Sequence, residues 1–330
     1  MTAANLSRSF AAALLLGAAC TPPARATSPP AQPSSAVAAA ADDDPAAHPS
    51  FAVRVMGQGR PLILIPGLTY PGAVWDETVA RYQSRYQCHV LSLAGFGGVA
   101  PAPARASFSE TAPETGTESF LPAVREQLLA YIKTQKLDRP AIIGHSLGGF
   151  LSLWLSTAQP DAIGPLIIVD SLPFLAAIQN PAMTAEAAQP MAAGMRQQMR
   201  AGRMTAAQQR QLARGLVTDT ARQSLLARWG QASDPASVAQ AMYELYTTDL
   251  RANLGAIRQP ALVLGAWAAY QPYGATLAST RAIFAAQYAR LPQHRIEMSA
   301  AGRHFLMYDD ASWFFQQTDA FLGANYAARK

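Results

Sequence analysis

From Phe51 onward, short continuous apolar runs alternate with stretches in which apolar residues recur at the helical period. Residues 52–56 and 61–65 flank Gly57-Gln58-Gly59 and predict two strands joined by a hairpin. Residues 75–86 then predict a helix, and residues 88–93 a strand. A Pro/Ala loop over 100–116 leads into a helix over 118–135, with Leu121, Val124, Leu128 and Ile132 on one face. Further strands are predicted at 141–143, 166–169, 261–264 and 295–298, with a helix running to 158 and a terminal helix from about 312. Strand cores with no polar alternation predict an α/β fold, a mostly parallel sheet covered by helices on both faces.

Residues 172–257 break this rhythm. They hold no strand pattern and read as several helices interrupted at Pro181, Pro190, Gly202, Gly215 and Asp234-Pro235. An all-helical insertion between two strands predicts a cap over the carboxyl edge of the sheet, where open α/β sheets bind ligands. Its methionines (Met183, Met191, Met195, Met199, Met204 and Met242) read mostly as ordinary helical core, the alternative being the lining of an adaptable apolar pocket.

The amino end has a different composition. Arg8 precedes an apolar run over 10–19, the pattern of an export signal and too short to span a membrane as a stable helix. Two processing sites compete: Ala24-Arg25-Ala26, which predicts a signal peptide of residues 1–26 and a released protein, and Leu16-Gly17-Ala18-Ala19-Cys20, which predicts cleavage before Cys20 and a lipid-anchored protein. Either predicts export, to a periplasm or beyond. Residues 27–50, rich in Ala, Pro and Ser, predict a disordered linker, which discounts His48 as a catalytic group. The globular domain is expected over 51–325. A formal charge of +5 on 330 residues, without a basic block, gives no sign of nucleic-acid binding. With only two cysteines no disulfide framework is expected, and Cys88 reads as a small buried side chain.

The chemistry is concentrated in Gly144-His145-Ser146-Leu147-Gly148-Gly149, a G-x-S-x-G sequence between an apolar strand and a helix. Such a turn holds its serine in a strained conformation with the hydroxyl exposed, and turns the next amide toward a developing oxyanion. Ser146 is therefore the expected nucleophile and Leu147 one oxyanion donor. Pro66-Gly67-Leu68, after the strand at 61–65, offers the amide of Leu68 as the second. Among the histidines, His304 alone follows a late strand at the carboxyl edge, and it comes last in the order Ser, Asp, His. His89 and His294 begin strands at the opposite edge, and His145 is expected to pack at the elbow. For the acid, no Asp or Glu occurs between Leu250 and Ile296, which empties the loop after the penultimate strand. Asp170, directly after 166–169, is the remaining carboxylate at that edge, against the plainer reading that it caps its own turn. Asp309 and Asp310 are expected to begin or cap the last helix, and Asp249 to anchor a loop. Trp267, Tyr270 and Tyr273 suggest an aromatic rim to a substrate pocket. No His/Cys/Asp cluster has metal-ligand spacing, so neither metal nor cofactor is expected.

Pro66-Gly67, Leu93-Ala94-Gly95-Phe96-Gly97, Gly144 to Gly149, Val169-Asp170-Ser171 and Gly302-Arg303-His304-Phe305 together resemble an α/β-hydrolase with a helical cap, over residues 51–322. The resemblance implies a serine hydrolase that cleaves a carboxylic ester of a small apolar molecule, without cofactor or nucleic-acid partner, touching a membrane only through an anchor at Cys20. Serine in the elbow weighs against dehalogenase and epoxide-hydrolase chemistry. Two departures stand out. Pro66 replaces the histidine often found before the oxyanion glycine, and the acid after the penultimate strand is missing. Some members of the family, haloalkane dehalogenases among them, carry the acid at the position matching Asp170. An amide, a lactone or a C–C bond remains an alternative target for the same three residues. A non-catalytic protein that captures a small ligand under the cap remains an alternative to any enzyme.

Overall fold

Strands that are apolar on both faces need cover on both, and the chain supplies it. A computed structural model describes residues 45–103, 119–178 and 180–327. Its sheet contains β1 (Phe51–Met56), β2 (Arg60–Ile65), β3 (Tyr86–Leu93), β4 (Ala141–His145), β5 (Leu166–Val169), β6 (Ala261–Gly265) and β7 (His294–Met298). Helices α1 (Asp76–Tyr82), α2 (Phe120–Thr134) and α3 (Leu147–Ala158) link the first strands; α4 (Ala185–Ala201), α5 (Ala206–Leu216), α6 (Thr220–Ala232) and α7 (Pro235–Thr247) lie between β5 and β6; α8 (Leu277–Gln287), α9 (Leu306–Asp309) and α10 (Ala311–Asn325) follow. The strand order is β1-β3-β2-β4-β5-β6-β7. All neighbours are parallel except β1, which runs antiparallel to β3.

Alternate strand residues feed two cores. Ile63, Ile142, Ile168 and Val263 pack with Leu121, Val124, Leu128 and Phe150, on the side of α2 and α3. Leu62, Ile143, Ile167 and Leu262 pack with Val79, Phe314 and Leu322, on the side of α1 and α10. The predicted stripe of α2 is fully used, with Leu121, Val124, Leu128 and Ile132 all buried.

The predicted hairpin does not form. β1 pairs with β3, and β3 lies between β1 and β2. The Gly57-Gln58-Gly59 turn passes over the start of β3 so closely that a Cβ on Gly57 would lie 2.2 Å from the Gln83 carbonyl oxygen. Both glycines also have positive φ, which relieves the turn of a side chain where no room exists. Helix α8 has no counterpart among the sequence expectations because its apolar face is weak, although Thr276 and Ser279 form a capping box at its start.

Two further expectations are corrected. The composition extends the linker to residue 50, but His48 is buried, stacks on Phe51 with ring centroids 4.5 Å apart, and bonds its Nδ1 to the Phe51 carbonyl oxygen at 2.8 Å. A nearby aromatic partner thus brings the end of an alanine-rich stretch onto the sheet. Asp310 begins α10 at its N-cap position as expected, with its side chain accepting from Ser299 Oγ at 2.7 Å; Asp309 neither begins nor caps α10 but ends α9 and accepts from Thr218 and from the Arg303 amide. The export signal, Cys20 and the rest of the linker lie outside the described residues, as does most of the loop over 100–116. Cys88 is buried, and burial pushes its thiol up to about 12.

Among its described residues the insertion holds helices joined by short links and no strand, and its four longer helices form two pairs, α4 with α7 and α5 with α6. Glu244 of α7 fixes the first pair to the core. Its buried carboxylate accepts from the Phe120 and Leu121 amides at 2.8 and 2.6 Å, and from Gln240 Nε2 at 2.8 Å. These two amides are donors that the first turn of α2 leaves unpaired, and they carry the positive end of its dipole. Glu244→Ala strands both of them in a buried site. An expected loss of about 2 kcal/mol in stability follows, read as a lower urea midpoint, whereas a surface role would leave the midpoint in place.

Candidate active site

In a parallel sheet the loops that leave the strand carboxyl ends meet on one edge, and they meet here between β2 and β4, where the strand order reverses. Ser146 follows β4 and precedes α3 with φ 54° and ψ −118°. This left-handed geometry is strained for a serine and persists only where the surroundings enforce it. The enforcement is visible. The Ser146 amide donates to the Val169 carbonyl at 2.8 Å. A Cβ on Gly148 would lie 2.2 Å from the Ile65 carbonyl oxygen, so α3 sits directly against the end of β2. Thr69 and Asp170, at the same edge, also have positive φ. Backbone strain is thus gathered at three of the loops that meet there.

Asp170 follows β5, and its amide donates to the Leu264 carbonyl at 2.7 Å. It does not cap its own turn. Its Oδ2 lies 2.6 Å from His304 Nδ1, and its Oδ1 accepts from the Ala266 amide at 2.9 Å. The loop after β6, which lacks an acid of its own, therefore contributes a backbone donor that holds the neighbouring strand's carboxylate. His304 stands in the loop between β7 and α9, its side chain 15% exposed against 6% for Asp170. An imidazole partly open to solvent, with a shielded carboxylate behind it, can take up and return a proton on its free side.

Ser146, Asp170, His304, Leu68, Leu147 and Tyr270 all line one cavity of about 1060 Å³ beneath the helical insertion. Trp267 is not among its lining residues; its indole Nε1 is buried without a partner. Leu147 is the first residue of α3, so its amide has no acceptor inside that helix. Gly67 brings the Leu68 loop against the elbow, since a Cβ there would lie 3.2 Å from Ser146 Cβ. All six methionines of the insertion border the cavity, while Met195 and Met242 are also buried in a helical core with Met183 and Met199 packed against it, so most of them are core as expected and line the pocket as well. Helical spacing cannot distinguish a face packed on a neighbour from one that borders a void. Among the described residues no group of three His, Cys, Asp or Glu side chains could hold a metal ion.

His145 does more than fill space. Its Nε2 donates to the His304 carbonyl at 3.0 Å, its ring lies 4.5 Å from that of His304 and 4.6 Å from Phe305, and its Nδ1 has no partner. Burial, and next the nearby His304, hold its pKa well below 6.5, so the folded protein keeps it neutral. The unfolded chain does bind that proton, so this group's contribution to stability is complete above about pH 6.5 and falls as pH drops below it, by at most ~1.4 kcal/mol per pH unit. His145→Gln keeps a donor for the carbonyl and is expected to flatten the slope of urea stability between about pH 6.5 and 5. An unchanged slope would assign the acid sensitivity elsewhere. Tyr70, in the Leu68 loop, packs edge-on to Phe305 at 4.9 Å, and burial pushes its phenol up to about 12. Neither role was legible in sequence, because each depends on which loops meet.

Comparison with known proteins adds a family and a fold. A family model described as "Alpha/beta hydrolase family" matches residues 62–317. The pimeloyl-[acyl-carrier protein] methyl ester esterase of Aliivibrio salmonicida is 31% identical over 121 residues, 37% of this chain and 40% of that protein. Its namesake from Aeromonas hydrophila is 34% identical over 124 residues, 38% of this chain and 42% of that protein. The match thus spans about two fifths of those relatives' length. Among solved structures, a hydrolase from Oleispira antarctica aligns with a TM-score of 0.65 at 17% identity, covering 84% of this chain and 97% of that one. An esterase from Exiguobacterium antarcticum aligns with a TM-score of 0.65 at 15% identity, covering 83% and 95%. At these identities the structural likeness speaks to the fold.

Proposed function

The chain belongs to the alpha/beta hydrolase family, and from that premise we propose that it is a serine hydrolase cleaving carboxylic esters of apolar acids, with Ser146, His304 and Asp170 as its triad. The observation that carries this reading is the 2.6 Å contact of His304 Nδ1 with Asp170, in the same cavity as a serine held at positive φ. The ester-cleaving relatives support the reaction class, through the part of each chain that matches.

The chemistry follows from the geometry. With Asp170 accepting from Nδ1, the imidazole keeps its other nitrogen unprotonated and facing the cavity, as a general base requires. Ser146 Oγ gives its proton to that nitrogen as it attacks the ester carbonyl. The imidazolium so formed is stabilised by the Asp170 carboxylate, which the Ala266 amide holds in place. The Leu68 and Leu147 amides receive the carbonyl oxygen as it gains charge. His304 then hands the proton to the departing alkoxide, leaving an acyl-enzyme. Water enters, loses a proton to His304, and releases the acid.

The test is a panel of carboxylic esters, amides and lactones on the purified protein, with the initial rate of each measured. Esters are expected to be the fastest class, by a factor that exceeds any difference within it. Turnover of amides or lactones alone would redirect the reading to those bonds, and turnover of nothing would leave a ligand-binding role. The export signal is part of the same proposal. The mature protein is expected to begin at Thr27 or at an acylated Cys20, which the intact mass of the exported protein decides; retention of residues 1–19 would overturn it.

A further inference from the structure

The two helical pairs of the insertion differ in chemistry, and both line the cavity that holds the reacting groups. On α4, Met191, Met195 and Met199 follow at four-residue spacing and so share one face, Met191 exposed at its rim and Gln198 the one glutamine of that helix in the lining, and Met242 of α7 joins them at the cavity wall. Met195 and Met242 are buried among Phe174, Ala188, Ala192 and Tyr246. The other pair, α5 and α6, presents Gln208, Gln209, Gln211 and Gln231, beside Leu212 and Leu216; Gln208 Oε1 also accepts from the Thr205 amide. Apart from Asp170 and His304, the only charged lining side chain among the described residues is Arg203, in the link from α4 to α5. It donates through Nη1 to the Gln231 carbonyl at 2.9 Å, and the Gln231 amide returns a bond to the Met204 carbonyl. These two bonds tie the link between α4 and α5 to the end of α6.

Each pair is fixed to a different part of the site. The glutamine pair is bound to the histidine loop: the Phe305 amide donates to the Leu216 carbonyl at 3.3 Å, the Arg303 guanidinium bonds the Arg214 carbonyl, and the Thr218 amide bonds Asp309 at 2.9 Å. The methionine pair is fixed instead to the start of α2 through Glu244. His304 must protonate the leaving oxygen, so the alcohol half of a substrate lies on the side of His304, toward the glutamines. The acyl half then extends away from it, toward the methionines.

We infer that the cavity sorts an amphipathic ester, a long flexible acyl chain lying along the methionine wall of α4 and α7 and a hydroxyl-bearing alcohol lying under the glutamines of α5 and α6. This rests on the serine-esterase reading and names its substrate class. Methionine suits the acyl side, because its unbranched thioether refits chains of differing length and bend. The cavity exceeds what a short acyl group can fill, standing at the upper end of the usual range for small-molecule sites, roughly 300–1000 Å³. Neutral amides suit a polyol such as glycerol, which both donates and accepts hydrogen bonds.

The experiment crosses both halves of the substrate with both walls. Acetyl and dodecanoyl esters of ethanol and of glycerol are assayed for kcat/KM with the wild type, Met195→Trp and Gln209→Leu; Met199→Trp replaces the first variant if it fails to fold. The wild type is expected to prefer dodecanoyl to acetyl, and glyceryl to ethyl. Met195→Trp is expected to cut the dodecanoyl preference by about tenfold and leave the glyceryl preference in place, and Gln209→Leu to do the reverse by a smaller factor. An acyl preference unmoved by tryptophan, or moved by Gln209→Leu instead, would overturn the division while leaving the esterase intact. A wild type inert toward all four esters would defeat both.

Discussion

Asp170→Asn is expected to lower kcat toward a good ester by about 10⁴-fold while the protein stays folded, the scale of loss that removal of a triad carboxylate gives elsewhere. The geometry gives the reason for so large an effect. The Ala266 amide donates to Oδ1 and would hold the asparagine carbonyl oxygen at that position. The new NH₂ then takes the place of Oδ2, 2.6 Å from His304 Nδ1, where it can only donate. Nδ1 must accept, so the imidazole proton moves to Nε2, the nitrogen that has to serve as base, and the base is lost. The check is kcat for the wild type and variant beside their far-UV spectra and thermal midpoints. Near-full activity in Asp170→Asn would remove Asp170 from the mechanism.

Ser146→Ala is expected to cost more, about 10⁶-fold in kcat, because no bond to the acyl group can then form. What activity remains would come from the two amides and from substrate binding alone. The methyl side chain keeps φ at 54°, so the elbow and its contacts with Ile65 and Val169 should persist. Burst kinetics provide the second reading: wild type releases one equivalent of alcohol ahead of the steady state when deacylation is slow, and the variant releases none. A burst in Ser146→Ala would place the nucleophile elsewhere.

The elements that carry this site were legible in sequence to different degrees. The elbow was readable because strand, glycines and helix occur together in one stretch, and the glycines are needed for close approach. The meeting of His304 with Asp170 was readable from the histidine's position after a late strand and from the absence of any other carboxylate at that edge. What could not be read depends on long-range geometry. β3 entering between β1 and β2 looks in sequence like a plain hairpin, because local turn residues serve both. The support of Asp170 by Ala266, and of His304 by His145, comes through backbone groups that carry no sequence signal. That the methionines also border a cavity could not be read, because a helical stripe gives the same pattern beside a neighbour or a void. Secondary structure and order along the strands were thus local information, whereas the surroundings of each functional group were not.

The central claim is that Ser146 is a nucleophile activated by His304 with its acid supplied from after β5, and covalent labelling tests it without knowledge of the substrate. Wild type and Asp170→Asn are treated with a fluorophosphonate, and the modified residue and the labelling rate are read by mass spectrometry. The account predicts a single adduct on Ser146 in the wild type and labelling slowed by orders of magnitude in Asp170→Asn. No adduct, an adduct on another residue, or labelling of Asp170→Asn at the wild-type rate would contradict it.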